Sequence, residues 1–219
     1  MIFGEMFLKK LQDKYEVREI DLKENALLKK SGLKFALRSY EVKDIGHFFI
    51  MDMSGMLGAM KMETVVLAAM ERNLPLVNID YVNAMGKETM MAEYYDTDHS
   101  GLPSGYYEKL DAIRLADSDI EDSPMGDIWY REYLLPCSYR KEGKKLTERF
   151  LAAGEKHIEL LMQMLEDAPE ADREEMMQKS LSFAQRLLDE GGPAVNQFVK
   201  LFGRERTEKI VKECMYGAQ

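Results

Sequence analysis

The chain has 219 residues, 46% of them hydrophobic and 32% charged, which is the composition of an ordinary globular protein and not of a disordered or fibrous one. Its formal net charge of −9 disfavours nucleic acid as a partner, because nucleic-acid binders need a basic surface. No apolar run approaches the ~18–20 residues that span a bilayer, and the N-terminal residues do not form a signal peptide. We therefore expect one cytoplasmic domain, residues 1–219, with no membrane partner.

The first half of the chain changes from a helical to a strand pattern. Within residues 5–30, apolar residues among many charges mix helical spacing with the pattern of a possible short strand, and we predict a first helix there. Short apolar or aromatic segments bounded by turn residues then predict successive strands at 35–42, 47–53, 64–69, 75–82 and 89–95. Their connections are short, whereas a parallel crossover needs about a dozen residues, so neighbouring strands should be antiparallel.

The second half is predicted to be helical. A helix capped by Ser104 should cover residues 106–115, and residues 126–136 are apolar and aromatic enough to return to the sheet or to cover it. Further helices are expected at 146–165, 170–188, 195–202 and 205–215. An antiparallel sheet with enough helix to cover both of its faces is an α/β fold of the three-layer α/β/α sandwich type, with a central antiparallel sheet.

Residues that often bind metals or cofactors show no such spacing here. Cys137 and Cys214 are too far apart in sequence for a zinc site or a disulfide framework, so we expect reduced core thiols. His47, His99 and His157 are expected to be structural or solvated. No metal site and no nucleotide cofactor held by a glycine-rich phosphate-binding sequence is predicted, whereas a flavin bound by other means stays an open alternative. The 17 methionines suit a core, although flexible thioethers also suit an adaptable pocket.

Three segments together resemble the ferredoxin-dependent bilin reductases, whose fold is shared with red chlorophyll catabolite reductase. They are Leu74-Pro-Leu-Val-Asn-Ile-Asp80, Gly126-Asp-Ile-Trp-Tyr-Arg-Glu-Tyr-Leu-Leu135, and the tail from Val199 through a Phe-Gly pair to Met215 and Tyr216. In this family a Leu-Pro precedes an acid at a strand centre, a Gly-acid-Ile segment leads to Glu-Tyr, and a Phe-Gly helix closes the chain. The resemblance covers about two-thirds of the sequence.

The resemblance implies an oxidoreductase that holds a linear tetrapyrrole, such as biliverdin, between the sheet and the C-terminal helices. Ferredoxin or flavodoxin would supply electrons one at a time, acidic side chains would supply protons, and no metal or flavin would be bound. Asp80 suits the role of proton donor, because an apolar strand environment between Ile79 and Tyr81 raises the pKa of a carboxyl group. The alternative is an aspartate on the solvent face of a half-buried strand.

Several positions depart from the family. Asp52 falls where the family carries a histidine beside the acid and is a candidate catalytic partner or substitute of Asp80; if both face one pocket, their titrations couple and one pKa rises. Gly192 falls where the family places another acid, with Asp189 and Glu190 nearby but out of register. Ile120 falls where the family has an arginine that holds a propionate.

Two basic clusters are candidate docking sites for an acidic ferredoxin or flavodoxin; the alternative is a solvated helix face. They are Arg140, Lys141, Lys144, Lys145 and Arg149, and Lys200, Arg204, Arg206, Lys209 and Lys212. Two other hypotheses for the whole chain remain: a non-catalytic tetrapyrrole carrier of the same fold, and a structural domain without a ligand.

Overall fold

The computed structural model describes residues 3–97 and 99–218 as a mixed α/β fold around one large sheet. Within these residues nine strands form the sheet: β1 (Val17–Ile20), β2 (Leu27–Lys30), β3 (Leu33–Val42), β4 (Gly46–Gly55), β5 (Met60–Ala69), β6 (Leu76–Ala84), β7 (Lys87–Tyr95), β8 (Glu121–Asp122) and β9 (Tyr139–Lys144). The helices are α1 (Phe3–Lys14), α2 (Tyr106–Ala116), α3 (Thr147–Asp167), α4 (Arg173–Glu190), α5 (Pro193–Phe202) and α6 (Arg204–Lys209), which continues into a π-helical turn (Ile210–Met215). None of these helices is both long enough and apolar enough to cross a membrane.

The sheet is antiparallel throughout. Its strand order is β1-β3-β4-β5-β6-β7-β9-β8, and β2 pairs with β3 beside β1. Strands β3 to β7 are hairpin neighbours because their connections are short; Met85 and Gly86, for example, form a two-residue turn with φ values of 54° and 83°. The predicted antiparallel order is therefore confirmed.

Alternating side chains give the sheet two apolar faces. On the first, which we call the α1 face, Phe48, Ile50 and Val65 belong to one buried cluster with residues of α1, α2 and α3. On the second, the C-terminal face, Phe49 and Val66 belong to another cluster with residues of α4, α5 and the π-helical turn. Helices thus cover both faces, and the predicted α/β/α sandwich is confirmed.

Several local predictions need correction. Within residues 5–30 the predicted first helix ends at Lys14, and two short strands, β1 and β2, follow where one possible strand was expected. The first residues of α2 are not capped by Ser104, because Gly105, with a φ of 80°, precedes the helix and no side chain caps it. Of the two alternatives for residues 126–136, the second is observed: Trp129–Tyr133 forms a 3₁₀ turn that covers the C-terminal face of the sheet. Helix 205–215 is α-helical only at its start.

The predicted structural roles of two histidines and both cysteines agree with their burial. Cys137 and Cys214 are buried free thiols. His47 Nε2 lies 2.7 Å from the carbonyl oxygen of Cys214, and His157 Nδ1 lies 2.8 Å from the Tyr94 hydroxyl. Burial lowers the pKa of His47 to about 4 and that of His157 to about 3, so both rings are neutral at pH 7.

Acid should destabilise the protein partly through His157. Between pH 3 and 6.5 the unfolded chain binds a proton at this residue that the folded chain does not, so stability is lost as the pH falls through this window. We expect His157→Gln, which retains a hydrogen-bonding group for Tyr94, to reduce the stability lost between pH 7 and pH 4 by up to about 3 kcal/mol. Urea unfolding of wild type and variant across this range measures the effect; parallel pH profiles would contradict it.

Candidate functional site

Asp80 lies in the middle of β6 and faces the C-terminal helices. Its cross-strand partners are Thr64 on β5 and Met91 on β7. The Thr64 hydroxyl donates to Asp80 Oδ1 at 2.5 Å, and the Asn78 side-chain amide donates to Oδ2 at 2.6 Å. Both donors come from the same face of the sheet, because residues 78 and 80 share a face and Thr64 is directly opposite Asp80.

The environment of Asp80 favours its neutral form. Burial raises its pKa to about 6, and the negative charge of Glu93 adds to this effect, while the hydrogen bonds from Thr64 and Asn78 and the positive charge of Arg140 act against it. The residue is half-buried. Asp80 can therefore gain or lose a proton near neutral pH, as an acid catalyst must.

A second acid and a cation lie on the same face beside Asp80. Glu93 is paired across strands with Asn78, and Arg140 with Met91, so that both face the C-terminal helices. The guanidinium of Arg140 forms an ion pair with Glu93, whose other oxygen accepts a hydrogen bond of 2.6 Å from the Tyr95 hydroxyl. Glu93 is 3% exposed, and Arg140 Nε is buried without a hydrogen-bond partner in the described part of the chain.

Aromatic and sulfur-containing side chains surround these polar groups. Burial is the main cause that raises the pKa of Tyr130 and of Tyr216, and the charge of Asp80 contributes in both cases, which puts these two phenols near the carboxyl group. Beside Asp80, five methionines share the C-terminal face: Met51, Met53, Met60, Met62 and Met91. Met51 and Met53 are buried and the other three are half-buried. We call this set the methionine strip.

Asp52 and Asp80 do not face one pocket, so the condition under which Asp52 would be the partner of Asp80 is not met. Asp52 is opposite Glu63, whereas Asp80 is opposite Thr64, and these adjacent residues of β5 point to opposite faces. Asp52 lies on the α1 face, where its Oδ2 is 3.3 Å from Arg38 Nη2. The residue beside Asp80 on β5 is Thr64, and Asp52 lies on the other side of the sheet.

The structure also shows where the other residues that depart from the family pattern lie. Gly192 precedes α5 and lines a surface groove of about 530 Å³ with Tyr130, Trp129 and Asn196. Asp189 is exposed and forms an ion pair with Arg204, so it does not replace the missing acid. Ile120 is buried in the cluster of the α1 face, on the opposite side of the sheet from Asp80.

The first basic cluster does not form one exposed patch. Arg140 forms an ion pair with Glu93. The Lys141 side chain is only 4% exposed and forms an ion pair with Asp122. Arg149 pairs with Asp117 and Asp119. In the second cluster, three members have partners: Arg204 with Asp189, Arg206 with Asn25, and Lys212 with Glu208.

Sequence reasoning missed Glu93 and Arg140 as members of the site. Glu93 had a detectable signal, because the two-residue period of β7 puts Met91, Glu93 and Tyr95 on one face. Placing that face beside Asp80 required the strand register. In the described residues no group of three or more His, Cys, Asp or Glu side chains is arranged to hold a metal ion.

Comparison with known proteins supports the fold. No protein-family model and no curated protein matches the sequence. The crystal structure of phytochromobilin synthase from tomato in complex with biliverdin is similar, with a TM-score of 0.70 and 12% sequence identity over 98% of this chain and 83% of that one. Phytochromobilin synthase is a ferredoxin-dependent bilin reductase, so the resemblance seen in the sequence is confirmed at the level of the fold.

Asp80 should make the protein less stable as the pH rises. Its folded pKa of about 6 exceeds the value of 3.8 for an unperturbed aspartate, so between these values the folded state binds more protons and stability falls with increasing pH. We expect Asp80→Asn to be more stable than wild type at pH 7.5 by up to about 2 kcal/mol and to lose this advantage at pH 4. Chemical denaturation at both pH values measures the difference; a pH-independent difference would contradict the assigned pKa.

Glu93 and Arg140 should act as a coupled pair. Removing one partner of a buried ion pair leaves an uncompensated charge, so Glu93→Gln and Arg140→Gln should each cost about 3 kcal/mol of stability. The double variant should lose at least about 1 kcal/mol less than the sum of the single losses. A double-mutant cycle by denaturant unfolding tests this, and strict additivity would show that the pair does not interact.

Proposed function

We propose that this chain binds a linear tetrapyrrole, such as biliverdin, on the C-terminal face beside Asp80 and reduces it with electrons from ferredoxin or flavodoxin. The observation that carries the proposal is Asp80 itself, a half-buried carboxyl group with a pKa raised to about 6. It faces the C-terminal helices in a fold shared with a protein whose structure was solved in complex with biliverdin. The proposed setting is cytoplasmic.

The surroundings of Asp80 suit a long conjugated ligand. Thioether side chains are flexible and polarizable, so the methionine strip can adapt to a flat apolar molecule. Met60, Met62 and Met91 retain exposed surface on this face, as does Val82 on β6. Tyr130 and Tyr216 supply aromatic surface and hydroxyl groups beside the carboxyl group.

The proposed chemistry is proton-coupled reduction. Saturation of one double bond consumes two electrons, which an iron–sulfur or flavin protein delivers singly, and two protons. Neutral Asp80 transfers its proton to the ligand, and the resulting carboxylate keeps the hydrogen bonds from Thr64 and Asn78. Water reprotonates Asp80 between the two electron transfers, so one carboxyl group can deliver both protons. No bound metal or flavin takes part.

The carrier hypothesis has a specific observation in its favour. Gly192 leaves the helical half without the second acid expected from the family, and Ile120 lies in a buried core and not at the site. A protein that binds a tetrapyrrole but does not reduce it would need the methionine strip and the aromatic residues, yet no proton donor. Binding and turnover must therefore be measured separately.

Substitution of Asp80 should separate chemistry from binding. We expect titration of wild type and Asp80→Asn with biliverdin to change the visible spectrum with affinities within about threefold, because the amide keeps the size of the carboxyl group. Anaerobic turnover with reduced ferredoxin should fall by at least about 10²-fold in the variant, since it lacks the donated proton. Equal turnover by both proteins would remove Asp80 from the mechanism.

Asp52→Asn is the matched control, because Asp52 occupies the opposite face of the same sheet. Its binding and turnover should equal those of wild type. Biliverdin binding without turnover in wild type would favour the carrier hypothesis. No spectral change with wild type would rule out both tetrapyrrole functions.

A further inference from the structure

One end of the sheet exposes apolar residues in a conformation that disfavours them. At this end, which we call the hairpin end, Met56 and Leu57 lie in the turn between β4 and β5, and Met85 lies in the turn between β6 and β7. They are 58%, 109% and 78% exposed, respectively. Their φ values are 50°, 55° and 54°, a region in which glycine, asparagine and aspartate are far more common than bulky side chains.

The two turns form one surface. The backbone amide of Met85 donates to the carbonyl oxygen of Ala59 at 2.8 Å, and Met60 pairs with Ala84 immediately behind the turns. The exposed residues are thus neighbours at the end of two adjoining hairpins. Neither folding nor turn geometry requires large apolar side chains at these positions, which points to a role in contact with something outside the chain.

The same end is basic, although the chain as a whole has a formal charge of −9. The pairing of the strands places seven exposed lysines at the hairpin end. Six belong to β2, β3, β5, β7 and β9, and one follows β9: Lys29, Lys30, Lys34, Lys61, Lys87, Lys144 and Lys145. Lys87 forms an ion pair with Glu142; the other six form no ion pair within the described part of the chain. Glu88, also at this end, is buried and bound by Leu146 and Thr147.

We propose that the hairpin end docks the protein on an anionic membrane surface. Projecting apolar side chains can enter the interfacial region of a bilayer, and a ring of lysines attracts anionic headgroups. The expectation of no membrane partner considered only segments that span a bilayer. Docking through two turns requires no such segment. Docking does not require reductase activity.

The shape of this surface favours a lipid occupant over an acidic protein. Leu57 projects fully into solvent from a turn, whereas apolar anchors at protein interfaces fill pockets on the partner. The anchors here are aliphatic or thioether side chains, without the tryptophan, tyrosine or arginine that supplies most of the binding energy at protein interfaces. A projecting apolar tip surrounded by lysines matches a bilayer, which offers a deformable apolar layer behind anionic groups.

The hairpin end also connects to the proposed ligand site. Met60 and Met62 on β5, and Val82 on β6, lie on the C-terminal face between the turns and Asp80, and all three are half-buried. A docked molecule would therefore direct the partly exposed end of the methionine strip towards the bilayer. This arrangement suits a ligand that partitions into lipid.

Vesicle co-sedimentation tests the proposal with the full chain. Wild type should bind vesicles of phosphatidylcholine and phosphatidylglycerol but not vesicles of phosphatidylcholine alone, and added salt should weaken binding. The double variant Leu57→Asn/Met85→Asn should lose at least about tenfold in partitioning, since it lacks two apolar insertions, and should remain folded because asparagine tolerates positive φ. Lys61→Glu should lose at least about fivefold.

Matched controls lie at the far end of the sheet. Tyr107→Asn removes an exposed aromatic side chain from the first turn of α2, and Lys43→Glu reverses a charge in the turn between β3 and β4. Both should bind vesicles as wild type does. Equal loss in Lys43→Glu and Lys61→Glu would show only a general charge effect and would overturn the assigned surface.

A probe at Leu57 provides an independent measurement. Both native cysteines are buried, so Leu57→Cys can be labelled selectively with an environment-sensitive fluorophore. Its emission should shift to shorter wavelength with anionic vesicles and not with neutral ones. No shift with either vesicle would overturn the proposal, and a shift only with an acidic electron carrier such as flavodoxin would replace the membrane with a protein partner.

Discussion

The side chains of an antiparallel strand alternate between the two faces of its sheet, and the whole molecule depends on how this alternation is registered across β3 to β7. Registered pairs such as Phe49 with Val66, and Val66 with Asn78, assign each position to one helical layer. A slip of one residue in β6 would move Asp80 into the core of the α1 face and expose Ile79 to the other layer. The buried apolar residues on both sides of the sheet therefore fix the position of the carboxyl group.

The polar groups of the C-terminal face are not equivalent. Glu93 and Arg140 compensate each other's charge, and Tyr95 satisfies a further oxygen of Glu93. Asp80 has no comparable cation in the described contacts; its partners are a hydroxyl and an amide. Burial and the charge of Glu93 raise the pKa of Asp80 by more than these hydrogen bonds and the charge of Arg140 lower it, so its pKa rises.

Much of the architecture followed from the sequence because strands and helices leave periodic apolar patterns. The five central strands and the long amphipathic α3 were predicted near their observed positions. The short edge strands β1 and β2 were indicated only as one possible strand within residues 5–30, since four-residue strands that are largely exposed carry little periodic signal. The predicted cap at Ser104 was wrong. Gly105, in a left-handed backbone conformation, directly precedes α2, and no side chain caps the helix.

The site was harder to predict than the fold. A single strand pattern identifies Asp80 as unusual, but its neighbours come from β5, β7 and β9, and only register brings them together. Asp52 illustrates the problem: it is an acid at the centre of an apolar strand, like Asp80, yet it faces α1 and pairs with Arg38. Distinguishing these two residues requires knowing which face each strand presents.

The hydrogen bonds of Asp80 also distinguish it from the structural carboxylates of the same sheet. Glu63 accepts from the backbone amides of Phe3 and Gly4 at the start of α1. Burial acts to raise the pKa of Glu88, but donors that include the Thr147 hydroxyl and the Leu146 amide outweigh it and lower the pKa. Backbone amides can only donate, so they favour a permanent carboxylate.

Asp80 has partners that can reverse their roles. The Thr64 hydroxyl can accept as well as donate, and rotation of the Asn78 amide presents an oxygen in place of the nitrogen. A protonated Asp80 therefore keeps its hydrogen bonds, and so does an ionised one. This tolerance of both states is what a group that repeatedly releases and regains a proton requires, and the backbone amides that donate to Glu63 and Glu88 cannot provide it.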